Sequence, residues 1–234
     1  MLKQSIRQLR DRLLPLLLSP ILICTQARSL NAQATPPDPQ RFKQAIEKFV
    51  QWDRKHGPPQ NAILFVGSSS ITLWNTAHFF PTLAVVNRGF GGSHITDVNY
   101  YYKQVVKPYN PQKIVFYAGE NDVASGRSSE EVLQDFQLFI TNVEQDFPGI
   151  PVFYLAIKPS PLRWNLWSKL DQTNILIKHW IETKPNLHYV DTASVFLNGS
   201  EQPRAIFFQK DGLHLSEQGY AIWQKVLLPY LTKE

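Results

Sequence analysis

Between Arg41 and Arg54 the apolar positions Phe42, Ala45, Ile46, Phe49 and Val50 recur at helical intervals with Asp53, which predicts a helix with one packing face. After the turn at Gly57-Pro58-Pro59 the run Ala62-Ile63-Leu64-Phe65-Val66 is apolar without alternation and stops at Gly67. A strand covered on both faces, as in a parallel sheet, carries such a run. Similar runs recur at Leu83 to Val86, Lys113 to Ala118, Val152 to Ile157 and Leu187 to Val190, each bounded by Pro, Gly, Asn or Asp. Between and after them, helical spacing covers Ile95 to Val106, Ser129 to Phe147, Trp164 to Thr183 and Glu217 to Leu231, with Ser216 as a natural N-cap for the last. This alternation predicts an α/β fold, a three-layer α/β/α sandwich around a five-stranded parallel sheet of the doubly wound class. Ligands are then expected at the carboxyl ends of the strands. A chain of 234 residues is long enough for one such domain to bury a full core.

The first residues follow a different pattern. Lys3, Arg7, Arg10 and Arg12 precede an apolar stretch from Leu13 to Cys24 broken by Pro15 and by Ser19-Pro20, and Ala32-Gln33-Ala34 has the small-x-small form of a cleavage site. Residues 1–34 therefore read as a signal peptide, which predicts a secreted or periplasmic mature chain. The stretch is shorter than the roughly 20 residues a membrane-spanning helix requires. Ile23 stands where a lipid anchor on Cys24 would want a small residue. Residues 35–40, rich in proline, read as an extended linker, and 41–234 as one folded domain.

Charge changes the picture only through that segment. The formal net charge of +5 includes five basic residues and one acidic residue before position 35, and without them 19 basic residues face 18 acidic ones. No broad basic surface remains for nucleic acid, so that class of partner is set aside. Cys24 is the sole cysteine and would leave with the signal, which excludes a disulfide or thiolate metal site in the mature chain.

If the strands hold, their carboxyl ends deliver three polar, flexible turns to one edge: Gly67-Ser68-Ser69-Ser70, then Asn87-Arg88-Gly89-Phe90-Gly91-Gly92-Ser93, then Gly119-Glu120-Asn121-Asp122. A fourth turn, Asp211-Gly212-Leu213-His214, precedes the last helix and can reach the same edge. Together they hold a hydroxyl, an imidazole, a carboxylate and hydrogen-bond donors. A serine hydroxyl is a poor nucleophile unless an imidazole takes its proton, and the imidazole needs a carboxylate to hold its tautomer and offset its developing charge. Ser69, His214 and Asp211 are the candidates for those roles. The tetrahedral intermediate of acyl transfer also needs donors aimed at its oxyanion, and the Gly92 N–H, the Asn121 side-chain amide and the Ser69 N–H can supply them.

These four segments resemble, in order, the motif blocks of the SGNH hydrolase superfamily, also called GDSL esterases and lipases. The resemblance spans nearly the whole mature chain and implies a flavodoxin-like sheet. It implies Ser69 as nucleophile with Asp211 and His214 as the rest of the triad, and Ser69, Gly92 and Asn121 as the oxyanion hole. The sequence departs at Ser68, where the family usually has Asp, which leaves three consecutive serines. The implied activity is hydrolysis of a carboxylic ester through an acyl-enzyme, on an acylated sugar, a lysolipid or a small acyl ester, with no cofactor. Two other readings use the same fold: an acyltransferase with the same triad, and a glycan- or lipid-binding protein whose ester site is idle.

Four more residues are candidates for substrate contact. Arg88 and Glu120 sit inside the motif blocks, where a buried ion pair suits them as well. Trp164 and Trp167 follow the fourth strand in the run from Lys158 to Trp167 and could stack on a sugar, wall an acyl pocket or join the core. The histidines outside the triad, including His94, form no metal-ligand pattern, and no metal is expected. Asn198-Gly199-Ser200 reads first as a tight turn.

Overall fold

The structure, a computed structural model, describes residues 35–197 and 202–232. The signal-peptide reading, Cys24 and the Asn198-Gly199-Ser200 turn lie outside the described residues. All elements below belong to the compact unit Gln33–Glu234.

In chain order they are α1 (Lys43–His56), β1 (Ile63–Gly67), α2 (Ser69–Thr72), α3 (Thr76–Phe79), β2 (Val85–Asn87), α4 (Ile95–Tyr100), α5 (Tyr102–Val105), β3 (Lys113–Tyr117), α6 (Glu120–Ala124), α7 (Ser129–Asp146), β4 (Val152–Leu155), α8 (Trp167–Ile181), β5 (Leu187–Val190) and α9 (Glu217–Thr232). The five strands pair in parallel in the order β2-β1-β3-β4-β5. The order reverses between β2 and β3, both neighbours of β1, so the carboxyl end of β1 lies at the switch point where such sheets hold ligands.

The uninterrupted apolar runs feed two cores because successive strand residues face opposite sides. Leu64, Val66, Ile114, Phe116, Val152 and Tyr154 pack with residues of α1, α4, α5, α7 and α8. Ile63, Phe65, Val115, Tyr117, Phe153 and Leu155 pack with Ile71, Trp74, Phe80 and the Tyr220, Trp223, Leu227 and Leu231 stripe of α9. Side-chain caps fix the starts of two helices. Ser128 Oγ accepts the Glu131 N–H at 3.2 Å while Glu131 Oε2 accepts the Ser128 N–H at 2.7 Å. Ser216 Oγ accepts the Gly219 N–H at 3.2 Å at the start of α9.

Three expectations need adjustment. The helix expected over Ile95 to Val106 is broken at Tyr101 (φ −96°, ψ 13°), and the break lets Tyr101 Oη reach Pro39 O while Tyr102 Oη reaches Asn142 O. Trp164 to Leu166 form a 3₁₀ turn, and α8 begins only at Trp167. Residues 39 and 40, expected to be extended, belong to a 3₁₀ turn over Pro39–Phe42, capped by Asp38, whose carboxylate accepts the Gln40 N–H at 2.9 Å. Among the described residues no helix is long and apolar enough to cross a membrane.

Candidate active site

At the end of β1 the backbone passes so close to β3 that a Cβ on Gly67 would lie 1.9 Å from the Tyr117 carbonyl oxygen, and Gly67 also adopts φ +141°. Only glycine fits there. The Ser68 N–H still donates to Tyr117 O at 2.9 Å, and the chain then turns into α2 with Ser69 as its first residue. Of the three serines, Ser68 and Ser70 are buried and Ser69 is half-buried. Exposure therefore separates Ser69 from its neighbours, which sequence alone does only through register.

From the other end of the chain, His214 Nε2 comes within 3.0 Å of Ser69 Oγ, and His214 Nδ1 lies 2.6 Å from Asp211 Oδ2. The turn that carries both is wound around the Asp211 carboxylate, whose Oδ1 accepts the N–H groups of Leu213 at 2.9 Å and His214 at 3.0 Å. The Leu213 N–H, and after it the His214 ring and N–H, outweigh the small cost of burial and hold the Asp211 carboxyl down at about 2. An ionised carboxylate at Nδ1 calls for a proton on that nitrogen, which leaves Nε2 free to accept from the Ser69 hydroxyl. The loop is braced on both flanks: the Gln209 N–H donates to His214 O at 2.7 Å, and Phe208 bridges Leu215 ahead of α9.

The second turn is stapled beside Ser69. Asn87 Nδ2 donates to Ile71 O at 2.7 Å and to Trp74 O at 3.1 Å, and the Phe90 N–H donates to Gly67 O at 2.9 Å. A Cβ on Gly91 would meet Ser69 Cβ at 3.7 Å, so this backbone lies against the hydroxyl-bearing residue. Gly92 follows at φ +82°, exposed, with no partner for its N–H among the described residues. The third turn joins the second through Asn121, whose Nδ2 donates to Ser93 O at 3.1 Å. Next to Asn121, the fully buried Asp122 accepts the Ile95 N–H on Oδ1 at 3.0 Å and fixes the start of α4.

Beneath Asn121 lies a buried charged cluster. Glu120 Oε2 accepts from Lys158 Nζ and Tyr117 Oη, each at 2.8 Å, and Arg163 Nη1 stands 3.4 Å from Glu120 Oε1. Burial alone would raise the Glu120 carboxyl, but the charges of Lys158 and Arg163 and these donors outweigh it and hold it below the ordinary carboxylate range. Arg163 Nη2 also donates to Asn121 Oδ1 at 3.0 Å, and the neighbouring Leu162 N–H donates to Gly212 O at 3.0 Å. One loop thus touches both Asn121 and the turn holding Asp211 and His214.

The structure brings Ser69, Asp211 and His214 together; Gly92 follows the Gly91 that lies against Ser69, and Asn121 is tied to the same turn through Ser93 O. It distributes the four substrate candidates differently. Arg88 points to α1, where Nη2 donates to Asp53 Oδ1 at 2.8 Å, Nη1 to Asn87 O at 2.9 Å and Nε to the Tyr109 hydroxyl, and its guanidinium lies over the Phe49, Trp52 and Tyr109 rings. That is an ion pair inside the fold, and among the described residues no Arg88 hydrogen bond reaches Ser69, Asn121 or His214. Glu120 is buried, and its carboxylate is linked to the Asn121 side chain through Arg163. Trp164 and Trp167 stack on each other with ring centroids 6.2 Å apart, and Trp167 packs against the core. Arg163 and Lys158 are absent from the sequence-derived site. The signal was two cations flanking Pro-Ser-Pro at the carboxyl end of a strand, next to tryptophans that drew the substrate reading. His94 is buried at the start of α4, and burial first, then the charges of Arg41, Arg127 and Arg163, lower its imidazole to about 4. Among the described residues no three His, Cys, Asp or Glu side chains are grouped to hold a metal ion.

A doubly wound sheet with a hydroxyl, an imidazole and a carboxylate in hydrogen-bond order at its carboxyl edge is the architecture of a hydrolase. The chain belongs to the GDSL-like lipase/acylhydrolase family, whose model matches residues 73–222. The match begins beyond Ser69, which is joined to it by the contact with His214. Among solved structures, the chain is similar to a Streptococcus pneumonia protein provisionally described as a platelet activating factor, with 22% identity, TM-score 0.73 and coverage of 82% of this chain and 93% of the other. It is also similar to a GDSL-like lipase from Bacteroides thetaiotaomicron (18%, TM-score 0.66, coverage 83% and 97%) and to an acetylxylan esterase from Geobacillus stearothermophilus (17%, TM-score 0.59, coverage 75% and 96%). Identities this low carry the fold alone. No curated protein matches the sequence.

Proposed function

We propose that the chain is an extracytoplasmic serine esterase that cleaves a carboxylic ester through an acyl-enzyme on Ser69. The observation that carries this reading is the relay of 3.0 Å from Ser69 Oγ to His214 Nε2 and 2.6 Å from His214 Nδ1 to Asp211 Oδ2. His214 takes the hydroxyl proton as Ser69 Oγ attacks the ester carbonyl, and Asp211 offsets the charge on the ring. The carbonyl oxygen, now negative, accepts from the Ser69 and Gly92 N–H groups and from the Asn121 amide. His214 returns its proton to the leaving alkoxide, the ester bond breaks, and water activated by the same ring releases the acid. The residues supply every group these steps require, so the reaction calls for no cofactor.

The substrate class we assign is an acylated sugar, a lysolipid or a small acyl ester. An acetylxylan esterase shares the fold, which supports testing acetylated glycans first. The test is hydrolysis of p-nitrophenyl esters of rising chain length and of acetylated glycans by wild type, Ser69→Ala and His214→Ala, alongside labelling by a fluorophosphonate. Turnover and labelling by wild type, both lost in Ser69→Ala, are the expected result. A folded wild type that resists the probe, or a Ser69→Ala variant that keeps full turnover, refutes the reading and favours an idle site. Product analysis with an added sugar acceptor distinguishes transfer from hydrolysis.

A further inference from the structure

We propose that Arg163 is a positioning residue for oxyanion stabilisation, acting on the side-chain amide of Asn121. The inference rests on the esterase reading above, in which that amide faces the oxyanion. An asparagine amide has two faces of opposite polarity, and a flipped amide would present its carbonyl where a donor is needed. Two contacts of fixed polarity prevent the flip. A guanidinium carries only donors, so the Asn121 atom 3.0 Å from Arg163 Nη2 must be the oxygen. The Ser93 carbonyl is only an acceptor, so the atom 3.1 Å from it must be the nitrogen. Reversal would set donor against donor and acceptor against acceptor, leaving two polar groups unpaired. With Ser93 O taking one hydrogen of Nδ2, the other is left for the oxyanion.

Arg163 also polarises the amide. A cation hydrogen-bonded to Oδ1 draws electron density from the nitrogen and strengthens its remaining N–H as a donor. The guanidinium is itself held in place: Nη1 stands 3.4 Å from Glu120 Oε1, the Arg163 N–H donates to Ser160 O at 3.2 Å, and the Leu162 N–H donates to Gly212 O. Glu120 stays ionised because the fully buried Lys158 is 2.8 Å away. Two cations and one carboxylate leave a net positive charge fixed behind the atom on which negative charge develops, where preorganised charge favours the transition state over the bound ester. Both Arg163 Nη atoms are engaged within the protein, which separates this role from that of a substrate carboxylate receptor.

The experiment uses the full chain in five forms: wild type, Arg163→Met, Arg163→Lys, Asn121→Ala, and Asn121→Ala combined with Arg163→Met. The readouts are kcat and KM for p-nitrophenyl acetate, the rate of fluorophosphonate labelling, and the melting temperature. Losing an oxyanion donor costs on the order of 100- to 1,000-fold, and a misaligned one less, so Arg163→Met is expected to lower kcat by roughly 10- to 100-fold with little change in KM. Arg163→Lys, which keeps charge and donors, is expected to recover part of the loss. In the Asn121→Ala background, removal of Arg163 is expected to cost nothing further, because the amide it orients is gone. A raised KM at unchanged kcat, losses that multiply in the double variant, or Arg163→Met equal to wild type would each overturn the inference. If Arg163→Met does not fold, the same comparison runs on Arg163→Gln, which loses the charge, and a folded Arg163→Gln equal to wild type in kcat counts against it. Asn121→Ala as active as wild type counts instead against the esterase reading itself.

Discussion

Replacing Asp122 by asparagine tests whether a carboxyl is stored uncharged behind the active edge. Asp122 is fully buried; Oδ1 accepts the Ile95 N–H, and Oδ2 makes no hydrogen bond among the described residues. Burial, outweighing the Ile95 N–H, raises its pKa from 3.8 to about 7. The unfolded chain loses this proton near pH 4 and the folded chain keeps it until about pH 7, so across that window the folded state binds more protons. Stability contributed by the neutral form is therefore complete below pH 4, declines as pH rises, and is gone above about pH 7. Each unit is worth about 1.4 kcal/mol, so the two units between pH 5 and 7 amount to about 3 kcal/mol. The substituted amide keeps an acceptor for the Ile95 N–H and has no proton to lose. In a domain of this size 1 kcal/mol moves the midpoint by about 2 to 4 °C. Between pH 5 and pH 8 the melting temperature of Asp122→Asn is thus expected to gain roughly 6 to 12 °C on wild type, whatever its offset at pH 5. Thermal unfolding at the two pH values is the assay, and an offset that does not change with pH would refute the assignment of a buried neutral acid.

Other consequences follow from single contacts. Gly67→Ala would set a methyl 1.9 Å from the Tyr117 carbonyl oxygen at φ +141°, so the strand must shift; a loss of more than about 4 kcal/mol is expected in denaturant unfolding, and near-wild-type stability would contradict the close approach. Lys158→Met strands the buried Glu120 carboxylate beside Arg163 alone, and a cost of about 3 to 5 kcal/mol is expected, eased at low pH where Glu120 takes up a proton. In denaturant unfolding, a cost that stays the same as pH falls would contradict the stranded charge. Asp211→Asn removes the charge facing the His214 ring while leaving its shape. It is expected to lower kcat on p-nitrophenyl acetate by about 100- to 10,000-fold, toward the smaller figure because the Asp211 side chain is 43% exposed, and unchanged kcat would remove Asp211 from the mechanism.

Much of this architecture was legible in the sequence because parallel strands buried on both faces must be continuously apolar, and four of the five runs end where Gly, Asn or Asp appears, the fourth run stopping at Lys158-Pro159 instead. The runs beginning at Ala62, Leu83, Lys113, Val152 and Leu187 mark the five strands to within two residues, and the polar turns behind three of them supply the hydroxyl and the candidate donors, the imidazole and carboxylate coming from the turn ahead of α9. The short helices α2 and α6 carry too few residues to display a helical period, so their residues read as turns, and α3, equally short, leaves no period to read. The break at Tyr101 was hidden because it answers tertiary partners, Pro39 and Asn142, that lie far along the chain. Arg88 could not be placed by its motif because its partner Asp53 is 35 residues upstream on a helix that reads as mere packing. Arg163 escaped for the same reason, since its meaning depends on Asn121, 42 residues away in a different turn.

The claim that Ser69 is acylated can be examined directly by quenching the reaction with p-nitrophenyl acetate in acid within the first turnover and mapping the acetyl group by peptide mass spectrometry. A burst of p-nitrophenol with the acetyl group on Ser69 is expected, and neither signal in Ser69→Ala. An acetyl group on Ser68 or Ser70, or steady turnover with no covalent adduct on any serine, would contradict it.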